Sequence, residues 1–162
     1  MADFTFNVAL GREVELYNRV KSNDPAASAL KGVVLRAANL ESDAVLKDYD
    51  TLGAILAAAN DEATNTNYAR VVWTDAELAA YAVDDANDNV PLFVPSPVTW
   101  TNVASGDVWA KILICYDGDT AAGTDTDIIP ITAHDILFQG SYLIPNGTNI
   151  VMTNTTGFVI CD

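Results

Sequence analysis

Val108-Trp109-Ala110-Lys111-Ile112-Leu113-Ile114-Cys115-Tyr116 is a dense apolar run, and its reading decides the fold. It breaks into the small acidic segment DGDTAAGTDTD (residues 117–127) and resumes as Ile128-Ile129-Pro130-Ile131. β-Branched residues crowd both flanks and turn formers crowd the middle, so the stretch predicts two strands around a loop. Lys111 alone interrupts the first run, which predicts a strand buried on most of both faces, at the centre of a sheet.

From that strand outward, the second half of the chain reads as β throughout. Segments 90–94, 98–103, 128–132, 135–139, 141–144, 148–153 and 157–161 are short, rich in β-branched and aromatic residues, and bounded by turn formers. Asn146-Gly147 lies between Tyr142-Leu143-Ile144 and Ile150-Val151-Met152 and predicts a hairpin there. Pro91, Pro95, Pro97 and Pro130 mark strand edges or bends. The front of the chain supplies helices. Residues 9–21 place Leu10, Val14 and Tyr17 on one face, with Arg12, Glu15 and Arg19 outward, and Pro25 stops the helix. Residues 29–38 alternate as a strand, 42–50 read as a polar connection, and Thr51 caps a short helix over 52–59. Residues 68–73 read as a strand. Thr74-Asp75-Ala76-Glu77 has the spacing of a capping box opening a helix over 75–81. The expected class is α+β, mainly β, an antiparallel sandwich or barrel with short helices in front. At 162 residues it forms a single domain, 1–162, with a helix-containing part (1–81) and an all-β part (82–162).

Composition narrows the function. Half the residues are hydrophobic and 19% are charged, a globular balance. The net charge of −14 is uneven: residues 1–70 hold seven of the eight basic residues against ten acids, and residues 71–162 hold only Lys111 against twelve. A surface at −11 repels phosphate, which argues against nucleic acid and anionic membranes as partners. No apolar run reaches the ~18 residues of a membrane span. The opening MADFTFNVALGREVELYNRV lacks a basic segment followed by an apolar core, so no cleaved secretory signal is expected. Cys115 and Cys161 read as buried free thiols of a chain folded in a reducing cytoplasm, with a disulfide between neighbouring strands as the alternative. Neighbouring subunits holding both ends, Met1 and Asp162, would imply an assembly.

Catalytic patterns are sparse. His134 is the sole histidine and has no nucleophile motif beside it, so it reads as a half-buried polar residue at a turn. Gly118 and Gly123 lack the spacing and the lysine of a phosphate loop. Trp73, Trp100 and Trp109 read as core or subunit-contact residues. The one candidate metal site is the loop with Asp117, Asp119, Asp125 and Asp127, hard oxygen donors suited to calcium. Asp117-Gly118-Asp119 opens like an EF-hand loop, but the glutamate at position twelve is missing. The plainer reading is a solvated acidic loop joining two strands, with no lysine or arginine close by in the sequence.

Three blocks carry a resemblance. They are Ala9-Leu10-Gly11-Arg12 with Glu15 to Val20; Leu40 to Ala44 with Leu46 to Leu52 and Asn67-Tyr68-Ala69-Arg70 followed by Thr74-Asp75; and Lys111 to Leu113 with Cys115-Tyr116-Asp117, Thr120, Gly123-Thr124-Asp125 and Ile128-Ile129-Pro130. Together they resemble small virion-associated proteins of tailed bacteriophages and prophages. The likeness covers nearly the whole chain, weakens after about Gln139, and returns in the glycine-aromatic ending Gly157-Phe158. It implies a non-enzymatic structural protein of the virion, made in the bacterial host cytoplasm, with no catalytic residue and no cofactor. Three roles follow as expectations. The first is a capsid decoration or cement protein on the major capsid protein, docking through its less acidic front third. The second is a neck, tail or fibre-tip knob component, and the third a calcium-binding adhesion module. A homo-oligomer, a trimer among the choices, is expected in each.

Overall fold

The structure is a computed structural model, and it describes residues 3–79, 91–92, 94–95, 97–153 and 159–160. In chain order the elements are β1 (Phe4–Thr5), α1 (Glu13–Lys21), β2 (Ala29–Arg36), α2 (Asp43–Leu46), α3 (Leu52–Ala57), β3 (Val71–Trp73), α4 (Asp75–Leu78), β4 (Pro91–Leu92) and β5 (Val98–Trp100). They continue as β6 (Trp109–Asp117), β7 (Ile129–Asp135), β8 (Leu137–Phe138), β9 (Ser141–Tyr142), β10 (Ile150–Met152) and β11 (Val159–Ile160).

Strand β6 is buried at all nine positions and lies at the centre of a five-stranded antiparallel sheet of order β1-β7-β6-β2-β3. Its two faces feed two cores. Ile112, Ile114 and Tyr116 join Leu30, Val34 and Trp73, covered by Leu16, Tyr17 and Val20 of α1 and Leu78 of α4. Leu113 and Cys115 join Val33, Leu35, Phe6 and Ala133, covered by Leu46 of α2 and by Leu52 and Ile55 of α3. Strict alternation distributes the side chains, so a continuous apolar run is what a strand packed on both faces requires. The tryptophans are core: Trp109 stacks edge-on against Trp100 (5.2 Å) and Tyr68 (5.5 Å), and its Nε1–H donates to Asn65 Oδ1 at 2.8 Å. Trp73 and Trp100 are equally buried.

The mainly β, α+β class holds. The remaining pairs form small two-stranded ladders, β10-β5, β11-β4 and β8-β9. Among the described residues all four helices lie before residue 79, as expected. The two parts of the chain nonetheless share one sheet, because β2 from the front pairs with β6 along its whole length.

Several local expectations are corrected. The first helix starts at Glu13. Residues 6–12 instead make two tight turns, with Ala9 N–H donating to Phe6 O (2.9 Å) and Arg12 N–H to Ala9 O (2.8 Å), and Leu10 is exposed. The polar connection over 42–50 contains α2, and β1 was not foreseen. Asn146-Gly147 does not join a hairpin: β10 returns to β5, and β9 pairs with β8 instead. The β8-β9 hairpin turns at Gln139 and Gly140, both with positive φ (52° and 80°), the conformation that suits the twist of a two-residue turn. Other expectations stand: Thr51 accepts from Ala54 N–H at 3.1 Å, Thr74 and Glu77 form the capping box, and Glu15 pairs with Arg19 at 2.9 Å. Pro130 sits where the β6-β7 register slips, so its missing N–H leaves no rung of a regular ladder broken. The helix end at Tyr81, Cys161, the strand ends at Val90 and Gly157, and the termini Met1 and Asp162 lie outside the described residues.

Leu113→Ala removes a fully buried side chain from the middle of β6. Urea unfolding should show a loss of about 2–5 kcal/mol, against less than about 0.5 kcal/mol for the exposed Val151→Ala.

Candidate functional site

The acidic loop after β6 carries its four aspartates in four different settings. Asp117 closes the strand, almost fully buried, with Oδ2 2.5 Å from Lys31 Nζ and Oδ1 accepting from Asp119 N–H at 2.9 Å. Asp119 Oδ1 accepts from Ala121 and Ala122 N–H (3.0 and 3.1 Å) and so holds the turn. Asp125 takes both ends of the Arg70 guanidinium, Nη1 to Oδ1 at 2.5 Å and Nη2 to Oδ2 at 2.8 Å. Asp127 Oδ2 accepts from Thr124 N–H and Oγ1–H at 3.0 and 2.9 Å.

These partners change the reading of the loop. Lys31 and Arg70 are distant in sequence, yet β2 and the segment before β3 bring them to it. Arg70 also grips Glu62, whose Oε1 is 2.9 Å from Nε, so one guanidinium ties the loop to residues 61–68 beside β2. There Val34 N–H donates to Tyr68 Oη at 2.9 Å and Ala63 N–H to Val34 O at 2.9 Å, covering the β2 edge beyond β3. The hydrogen bond from Arg70 holds the Asp125 carboxyl below the ordinary range, and the Thr124 N–H does the same for Asp127. Paired with Asp125 and then Glu62, Arg70 is held even more firmly protonated than usual. Each carboxylate is turned to its own partner. Among the described residues no group of three or more His, Cys, Asp and Glu side chains is placed to share a metal ion.

His134 lies inside β7 rather than at a turn, and it is half-buried as expected. Its Nδ1 is 3.0 Å from Asp3 Oδ2 and its Nε2 is 2.9 Å from Thr132 Oγ1. His134 pairs with Ile112, and Cys115 lies on the opposite face among Leu113 and Ala133, so the two cannot act as base and nucleophile. Cys115 is a buried free thiol whose pKa is pushed up by desolvation, the opposite of an activated thiolate.

A different surface stands out, and composition would have located it. From Ile136 to Cys161 the chain contains no Asp, Glu, Lys or Arg, in a protein of net charge −14. Four of the large hydrophobic residues the fold leaves exposed fall there: Leu137 (55%), Phe138 (64%), Ile144 (67%) and Val151 (56%). Phe138, Tyr142, Ile144, Ile150 and Val151 line an open groove of about 570 Å³. The hairpin β8-β9 forms one wall and β10, anchored on β5, the other. Gln139, Ser141, Asn146, Thr148 and Asn149 complete the lining, and an uncharged groove that mixes apolar and neutral polar side chains has the composition of a protein interface.

No protein-family model matches the chain, and neither does a curated protein or a solved structure. No helix among the described residues is long and apolar enough to cross a membrane.

Asp125 and Asp127 contribute stability that is complete above about pH 4, the range of an unfolded carboxyl, and that is lost as pH falls through their lower folded values. Thermal melting on acidification should therefore fall. Arg70→Met should lower the melting temperature at neutral pH, and its gap to the parent protein should shrink as the pH falls through the lowered folded value of Asp125.

Proposed function

We propose that this chain is a non-enzymatic structural protein of a tailed-phage virion, a decoration (cement) protein that docks on the major capsid protein. The observation that carries the reading is the charge-free, partly apolar groove between β8-β9 and β10, which offers an uncharged contact on an otherwise acidic molecule. The resemblance of residues 9–20, 40–52, 67–70 and 111–130 to virion-associated phage proteins supplies the kind of assembly. The groove is a better docking surface than the front third. There the exposed Arg12 and Arg19 share one carboxylate, Glu15, at 3.5 and 2.9 Å, so part of their charge is already neutralised locally. Docking through the groove keeps charged side chains out of the contact and leaves them to the rest of the surface, where like charge keeps neighbouring particles apart. A shell bound at many modest contacts is strengthened without any one tight site.

Quantitative mass spectrometry of purified particles is the test of place. Decoration requires the chain to be present in a simple ratio to the major capsid protein. A few copies per particle would move it to the neck, tail or fibre tip, and absence from the particle would overturn the virion reading. Ile144→Asp and Phe138→Asp should lower binding to shells by about 30-fold or more, the ~2 kcal/mol of an interface hot spot. Their melting temperatures should stay close to that of the parent, since both side chains are exposed. Undiminished binding by both variants would show that the groove is not the docking face.

A further inference from the structure

Lys111 is the only lysine or arginine after Arg70, and the fold buries it completely. Its side chain is fully buried on β6, with Nζ 2.5 Å from Asp135 Oδ1 and 3.1 Å from Asp43 Oδ1. The ring of Phe4 closes over it, centroid 5.3 Å from Nζ. Asp135 is the residue directly opposite on β7, so the two side chains leave the same face of a hydrogen-bonded ladder. Asp43 reaches the pair from α2, on the neighbouring layer. An amine and a carboxyl are thus held in lasting contact, with a second carboxylate at the amine and little water. Reacting groups fixed in this way reach effective concentrations of about 10⁵–10⁸ M.

We propose that Lys111 and Asp135 condense to an intramolecular isopeptide bond that joins β6 to β7, with Asp43 carrying the protons. Asp43 accepts one proton from the Lys111 ammonium, and the freed amine forms a bond to Asp135 Cγ. One Cγ–O bond of the tetrahedral centre then breaks. Its oxygen leaves as water with two of the three former ammonium protons, one returned by Asp43, and the third stays on the amide nitrogen. The ion pair becomes a neutral amide plus water, no co-reactant is consumed, and Asp43 ends as it began. The product also removes a fully buried ammonium, which is costly to keep desolvated. Asp43 and Asp135 are only partly buried, which leaves the water an exit.

The second lysine pair of the sheet lacks these features. Lys31 meets Asp117 at 2.5 Å, but its register partner on β6 is Cys115, so the contact is diagonal. Among the described residues Lys31 has no second carboxylate within ion-pair distance.

Intact mass of the whole chain, purified and aged at neutral pH, reads the bond directly. The expected mass is lighter than the sequence by one water. Lys111 is the only tryptic site after Arg70, so the modified protein should yield residues 71–162 as one uncut peptide. Chymotrypsin cutting after Leu113 and Tyr116 should leave the Lys111 and Asp135 fragments joined. The unmodified mass, or a water loss mapping to Asp117-Gly118 or to Lys31, would overturn the proposal. Asp135→Asn should lose ammonia instead of water. Asp43→Asn, nearly the same in shape, should fold and form the bond on the order of 100-fold more slowly, the usual size of a lost proton carrier. Linkage at the parent rate in that variant would refute the role given to Asp43.

Discussion

Everything else in this molecule depends on one strand having no wet side. β6 is hydrogen-bonded along both edges and covered on both faces, and each neighbour is placed by that demand. β2 must run its full length against it, α1 and α4 must close one face, and α2 and α3 the other. Burial of this kind is favourable for apolar atoms at about 25 cal/mol per Å² and unforgiving of polar ones. Both ionic groups that β6 itself points into the α2–α3 face, Lys111 and Asp117, are accordingly matched by an opposite charge at contact distance.

That central strand was the most legible part of the sequence, because a nine-residue apolar run leaves little choice of environment. Caps were legible too: Thr51 and the Thr74–Glu77 pair act through atoms within three residues of one another. What could not be read was pairing at a distance. Asn146-Gly147 makes a tight reversal in the structure, with Asn146 Oδ1 accepting from Thr148 N–H, but β5, almost fifty residues earlier, captures the returning strand. The same blindness hid the partners of the acidic loop. Residues 117–127 look unpaired in sequence because Lys31 and Arg70 reach them only across the folded sheet. The uncharged run from Ile136 was present in the sequence from the start. A block average of −11 over residues 71–162 masks where the acids stop.

Charge and apolar surface are segregated along the chain, and the segregation assigns different work to different parts. Ion pairs knit the loops to the sheet: Arg70 with Glu62 and Asp125, Arg36 with Asp61 and Asp107. Most are partly exposed, so they add modest stability and mainly fix geometry. The region after Asp135 has no such ties, and its short ladders leave hydrophobic side chains outward. A self-sufficient sheet thus carries a less self-sufficient appendage, the division expected where one part folds and another meets a partner.

The order of strands in the sheet has a consequence for how the chain is born. β2 leaves the ribosome about eighty residues ahead of β6, and β1 more than a hundred ahead of β7. At roughly 5–20 residues per second, Val33, Val34 and Leu35 spend several seconds without the strand that will shelter them. No local hairpin can stand in, because the five-stranded sheet is assembled mainly from distant pairings, which also makes folding slow. During that interval charge gives little help: residues 1–70 hold seven bases against ten acids, and most of the acidity follows in residues 71–162. The acidity of the protein therefore arrives too late to guard β2 and serves mainly the finished surface.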